Sequence, residues 1–533
     1  MWPLSVRGSV AALLCSGGSW QLLRRFGCGT RSSEAKRRNE FAQAACSKTL
    51  TLVNRFGLFD LFMKSAHSIS SRRNLLLSCL VTACFIYLTT GICRATSPLE
   101  ERVAKLEAAQ HGINAGDNAW LLTSSALVLM MTAPGLALFY GGLVRSKNVL
   151  ATMMHSMFLM GFMSLLWMLY GYSVAFGEGN AFFGNPVQYF LLRGVGGAPN
   201  ADYATTVPHQ SFMLFQLMFA IITPALISGA IAERMRFSAF VLFIFLWATL
   251  IYFPLAHMVW GKGGWFNWAL GGKIPVLDFA GGTVVHISSG VSALVCALVL
   301  GRRVGYPQEP MPPHSVVLSL IGTGLLWVGW FGFNAGSALG SGELATHAFA
   351  ATHFSAAAAA LSWGATEWRL KGRPSVLGVA SGMVAGLATI TPASGFVTVP
   401  AATLIGLIAG VVCYFAVSKI KAHFKYDDSL DVFGVHGVGS TVGMLMCGLF
   451  ASAEVNPLIA STFMASGHSV SLAGGISQFY NQVRGVLFTM ALAGVGTLVI
   501  LKLVSAVMPL RVDEEAEDQG LDLSQHGEQA YND

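Results

Sequence analysis

The stretch GGTVVHISSGVSALVCALVLG, residues 281–301, decides the fold. It is long and apolar enough to cross a membrane as a helix, which takes about 20 mostly apolar residues. Yet it carries His286 near its start. A second apolar stretch, FGVHGVGSTVGMLMCGLF at 433–450, carries His436 in the same local setting, directly after a valine. A titratable side chain at membrane depth is costly and marks a functional site by default. Either histidine alone reads as a hydrogen-bonded core residue; two in matching positions point to a shared task.

The rest of the chain agrees with a membrane setting. Only 11% of its 533 residues are charged, against 54% hydrophobic, whereas soluble domains carry about 25% charged residues. The 59 glycines suit helices that pack closely in lipid. A net charge of +7 could suggest nucleic acid, but the basic residues are scattered over short loops and form no patch. The nine cysteines show neither zinc spacing nor a disulfide framework. No Ser/His/Asp set, HExxH motif or nucleotide loop is present, so neither an enzyme nor a cofactor or metal protein is expected.

Outward from His286, about eleven apolar segments are expected to span the bilayer. They run near 119–143, 151–176, 211–232, 237–260, 281–300, 315–336, 347–368, 375–392, 398–418, 434–452 and 484–508. The loops alternate in charge. One set holds Arg145, Lys147, Arg234, Arg236, Arg302, Arg303, Arg369, Lys371, Arg373, Lys419, Lys421 and Lys425; the other holds only Arg193, Lys262, Lys273 and Arg484. The positive-inside rule puts the first set in the cytoplasm, which leaves the N-terminus outside and the C-terminus inside. An odd helix count is what that orientation requires.

A weak repeat supports the pairing of the histidines. PGLALFYGG (134–142) aligns without gaps on VGWFGFNAG (328–336), and the histidines fall in the fifth and tenth segments. The expected fold is therefore an all-α polytopic membrane protein, an inverted five-plus-five repeat followed by a long final helix. Inverted repeats place their site near the midplane, at the repeat interface.

Residues 1–62 form an N-terminal extension; 1–33 are Arg-bearing with no acid, as in a transit peptide, unless translation starts later. Residues 63–96 read as a signal peptide or an extra helix, and 97–118 as an extracellular lead-in with a short exposed helix at 97–110. The membrane domain covers 119–508. The tail, 509–533, is acidic (Asp513, Glu514, Glu515, Glu517, Asp518) and faces the basic loops.

Asp278 stands just before the fifth segment and reads as its N-cap, with a second role of supporting a cation site by its field. Two buried neutral imidazoles can share a proton and present their other edges to a small N–H solute. They make a poor zinc site, because no third ligand is suitably spaced. Near the outer ends lie Phe215, Gln216, Phe219, Trp260, Trp330, Phe333 and Ser337. Aromatic faces with a hydroxyl can bind ammonium-type cations.

The motifs GDNAW (116–120), PGLALFYGGLVRSKNVL (134–150), AERMRFSA (232–239), AHMVWG (256–261), LDFAGGTVVH (277–286), GWFGFNAGSA (329–338), TPASGF (391–396), DVFGVHGV (431–438) and GLDLSQHGEQAY (520–531) resemble the ammonium transporter family, in its Amt branch. Trp260 and Ser337 separate the chain from Rh relatives, which lack them, and His286 from many fungal relatives, which carry an acid there. The resemblance implies ammonium or ammonia as substrate, Trp260, Phe215 and Ser337 as an outer recruitment site, and Phe219 and Phe333 as a gate. His286 and His436 become the pore lining, Asp278 a support for recognition, and Gln216 and Trp330 supporting residues. It also implies a homotrimer in the lipid bilayer and a gating tail that docks on a neighbouring protomer, with Ser524 as a regulatory position and a cytoplasmic regulator as a further partner. The plasma membrane is the expected location, with an organellar membrane as the alternative. A sensor with little flux is the competing function.

Overall fold

The computed structural model describes residues 112–463, 467 and 469–531. The expectations for 1–62, 63–96 and the helix at 97–110 lie outside the described residues. Helices stand at all eleven expected places: α1 (Ala115–Leu143), α2 (Ser146–Phe176), α3 (His209–Ile231), α4 (Phe237–Trp260), α5 (Gly282–Leu300), α6 (Val316–Gly336), α7 (Glu343–Lys371), α8 (Val376–Ile390), α9 (Val399–Phe424), α10 (Phe433–Phe450) and α11 (Ile476–Val507). Helix α1 begins earlier than expected because Asn114 caps it, accepting from the Gly116 and Asp117 N–H groups. The only strands among the described residues are two short hairpins, Pro199–Asn200 with Ala204–Pro208 and Thr462–Phe463 with Ser469–Val470.

Among the described residues, nine of these helices are long and apolar enough to cross a membrane. The other two depart from the sequence expectation for different reasons. Helix α7 is long, but it is alanine-rich and carries Glu343, Glu367, Arg369 and Lys371. Helix α8 is short; its path continues as irregular backbone through Thr391, Ala393, Ser394 and Phe396, all fully buried. Non-helical backbone is tolerated in a membrane protein where protein covers it.

Helices of the two halves pair off in opposite directions. Along α1 and α6, Gly322 meets Phe139 and Gly329 meets Met131, so residue numbers rise on one helix as they fall on the other. Helices α5 and α10 do the same: Gly290 packs on Gly437, and Gly282 on Met444. A methyl group on Gly290 would lie 2.4 Å from the Gly437 backbone nitrogen, so only glycine lets the two histidine-bearing helices touch there. Antiparallel pairing of first with sixth and fifth with tenth is what an inverted five-helix repeat requires.

The basic loops named from sequence gather at one end, tied by acids that lie among them. Arg145 and Arg303 both pair with Glu233, at 2.8 and 3.2 Å, and Arg303 also pairs with Asp427 at 2.9 Å. Arg234, fully buried, donates to the Asp427 carbonyl and the Ser429 hydroxyl. The tail folds back onto this end of its own chain through a short helix, α12 (Glu514–Gln519), and a turn at Asp522–His526. Glu517 bonds Arg511 and the Val304 N–H, Asp522 accepts from Leu150 and Ala151 N–H, and Lys147 donates to the Asp518 carbonyl.

Candidate functional site

Both histidine helices open with a wide turn, Gly282–Ile287 in α5 and Phe433–Val438 in α10. Such π-type turns are frequent at functional sites. Each turn is headed by an aspartate eight residues before its histidine, Asp278 and Asp428. The Asp278 carboxylate accepts from the Gly281, Gly282 and Thr283 N–H groups at 2.7, 2.6 and 2.8 Å, and from the Thr283 hydroxyl. Asp428 accepts from Phe433 N–H at 2.8 Å. The shared eight-residue spacing is legible in the sequence and marks Asp428 as the counterpart of Asp278, although it lies outside the DVFGVHGV motif.

The caps hold the rings in place. His286 Nδ1 and His436 Nδ1 are 3.2 Å apart, with the rings 14° from parallel. Both side chains are buried, and His286 Nε2 has no hydrogen-bond partner. One Nδ1 must donate to the other, so a neutral pair shares that proton. Along the pore it then presents one Nε2–H donor and one bare Nε2 acceptor. A narrow cavity meets both histidines, and Val285, Leu226, Phe139 and Phe333 are among the apolar side chains that line it.

Above the histidines the aromatic rings form a column. Phe333 lies 5.9 Å from His286, centroid to centroid, and 4.4 Å from Phe219. Phe219 in turn meets Phe215 edge-on at 5.0 Å and Trp260 at 5.8 Å. Ser337, one turn past Phe333, donates to the Phe333 carbonyl at 2.9 Å, which leaves its oxygen lone pairs free to accept. The Trp260 indole N–H donates to the Asp278 carbonyl at 3.1 Å. Asp278 thus acts on the column by orienting Trp260 and the α5 backbone, while its carboxylate is occupied by its own cap. Trp260 and Ser337 are half-buried, whereas Phe215, Phe219 and Phe333 are buried.

One supporting residue, Trp330, sits differently from expectation. The sequence groups Trp330 with the outer aromatics. Its ring stacks on His286 at 5.5 Å, and its indole N–H is held by the Thr391 hydroxyl at 2.9 Å. It therefore backs the histidine pair, because it lies one turn before Phe333 on α6. Gln216 is half-buried beside Phe215, and no hydrogen bond ties it to the ring column among the described residues. No group of three or more His, Cys, Asp or Glu side chains placed to hold a metal occurs among the described residues.

The Ammonium Transporter Family model matches residues 119–531. The chain belongs to the ammonium transporter family. The ammonium transporter of Bacillus subtilis is 48% identical over 418 residues, covering 78% of this chain and 99% of that one. The crystal structure of Saccharomyces cerevisiae Mep2 is similar with a TM-score of 0.68 and 35% identity, covering 76% of this chain and 91% of that one. A solved Sensor Amt Protein is similar with a TM-score of 0.69 and 28% identity, covering 77% of this chain and 98% of that one. Family and helices together make this an integral membrane protein of a transporter family.

Proposed function

We propose that this protein moves ammonium across the plasma membrane, recruiting it as a cation and passing it inward as ammonia. The observation that carries this reading is the buried His286–His436 pair at the foot of a column of aromatic rings. Stripping a cation of water in an apolar pore costs on the order of tens of kcal/mol. Each aromatic face returns only about 0.5–2 kcal/mol. Trp260, Phe215 and the Ser337 oxygen can capture ammonium but cannot carry it bare through the pore. Ammonium therefore gives up its proton at the Phe219–Phe333 gate to the bare Nε2 of the histidine pair. Ammonia passes along the histidine edges, and the coupled imidazoles relay the proton inward, so that net charge crosses with each ammonia. Potassium has no proton to lose and no N–H to donate, so it is rejected.

The test is the current evoked by ammonium pulses in proteoliposomes, for wild type and for His286→Ala and His436→Ala. Wild type should carry current and exclude potassium; each variant should lose the current or admit potassium. A double variant with normal ammonium current and intact potassium exclusion would sink the histidine relay. A silent wild type that still changes internal pH on ammonia entry would make the protein a neutral channel. Failure of both readouts would favour the sensor reading, for which the likeness to the Sensor Amt Protein speaks.

The folded tail supports a regulatory role within this reading, and the trimer implied by the family belongs to the same proposal. Ser524 donates to the Gly520 carbonyl at 2.7 Å, closing the turn whose Asp522 caps α2. A Ser524→Asp change removes that donor and sets a negative charge among carbonyl oxygens. Uptake should fall severalfold at equal surface expression; unchanged uptake would remove the tail from regulation.

A further inference from the structure

We infer that Asp117, in the GDNAW motif at the outer end of α1, is the positioning residue that fixes Ser337 for cation capture. The inference rests on the reading of Trp260, Phe215 and Ser337 as the recruitment site. Acids in a first helical turn are ordinarily occupied with free backbone N–H groups. Here Asn114 already caps α1, at 2.8 and 3.1 Å to the Gly116 and Asp117 N–H groups. The Asp117 carboxylate is left for other partners: it meets the Thr206 side chain, in the strand before α3, and it reaches across to the loop after α6. Its Oδ1 accepts from the Ser341 N–H at 2.8 Å and from the Ser341 hydroxyl at 3.0 Å.

That loop, 337–341, starts with Ser337 and needs holding. Leu339 has φ +57°, a left-handed conformation that a leucine rarely adopts unless its surroundings impose it. Gly340 packs directly on the carboxylate, where an added methyl group would come within 3.2 Å of Oδ1. The rest of the motif works in the same direction. Trp120 donates its indole N–H to the Ala335 carbonyl at 3.3 Å, two residues before Ser337. Asn118 accepts from the Ser211 hydroxyl at 2.6 Å, one turn before Phe215 on α3. The outer end of α1 therefore clamps two of the three helices that deliver the recruitment site, α3 and α6, and Asp117 is the member that closes the Ser337 loop.

The test is uptake of ammonium by the full chain in proteoliposomes, fitted for half-saturation and maximal rate, with Asp117→Ala, Asp117→Asn, Ser337→Ala and Asp117→Ala/Ser337→Ala. Loss of a charge-assisted pair of bonds at a partly exposed site should raise half-saturation about three- to tenfold in Asp117→Ala with maximal rate held. Asp117→Asn keeps an acceptor oxygen and should stay within about twofold of wild type. The double variant should be no worse than Ser337→Ala alone, since Asp117 acts on capture only through the Ser337 oxygen, which that variant already lacks. Asp117→Asn as impaired as Asp117→Ala would overturn the inference, because the charge and not the position would matter. Unchanged half-saturation in Asp117→Ala, with Ser337→Ala impaired, would overturn it and leave the recruitment site standing. If Ser337→Ala also binds normally, the recruitment reading fails and this inference with it.

Discussion

Replacing Asp278 by alanine should cost about 3–6 kcal/mol of stability, because three buried backbone N–H groups and a hydroxyl lose their acceptor at once. The helix start they belong to carries His286 and, through the Asp278 carbonyl, faces the Trp260 indole. The detergent-solubilised variant should melt well below wild type, and the surviving fraction should transport poorly. Asp278→Asn keeps one acceptor but turns an NH2 toward the N–H donors, so it should fall between the two. This ordering separates two roles for the residue. Were the carboxylate a direct cation ligand, Asp278→Asn would lose capture while keeping its melting temperature. Both oxygens are already committed to α5, so loss of transport should instead follow loss of stability across the series. An alanine variant with wild-type melting and uptake would refute the capping account.

Most of the architecture was legible because the sequence pattern and the bilayer impose the same length on a helix. The histidine pair was legible through its repeated local setting, whereas charge alone leaves the acidic tail a solvated segment beside basic loops, and its docking was implied only by the family resemblance. What could not be read was order in space. Phe219 and Phe333 lie on α3 and α6, and nothing in one strand of sequence says that they are the two that touch. The interior placement of Trp330 depends on the α6 rotation that turns it toward Thr391 rather than outward. Helix α8 is shorter than a hydropathy window implies, because buried irregular backbone extends its path. The acids Glu233 and Asp427 were passed over for a plainer reason: counting basic residues gives orientation and ignores what those residues bind.

Those acids set up the second large effect. Arg303 bonds Asp427 through its own backbone N–H and its guanidinium, at 2.8 to 2.9 Å, and reaches Glu233 at 3.2 Å. Both carboxylates have fully buried side chains. Burial by itself would push their pKa values up, but Arg303, with Arg145 on Glu233 and Arg234 near Asp427, holds both below the ordinary carboxylate range. Arg303→Met keeps much of the packing, strands the Asp427 carboxylate and leaves Glu233 to Arg145 alone, which should cost about 3–5 kcal/mol near neutral pH. The sign of the pH dependence then reverses. In the wild type, a lowered folded pKa gives stability that is present above the unfolded pKa and lost as pH falls through the folded one. In the variant, burial dominates and the folded pKa rises above the unfolded value, so the penalty is full at high pH and fades as the carboxyls take up protons. Melting of the purified protein at pH 8 and pH 5 should therefore show a wide gap between variant and wild type at pH 8 and a narrower one at pH 5. A gap independent of pH would mean that Arg303 contributes packing and backbone contacts alone, and that Arg145 and Arg234 suffice to neutralise the site.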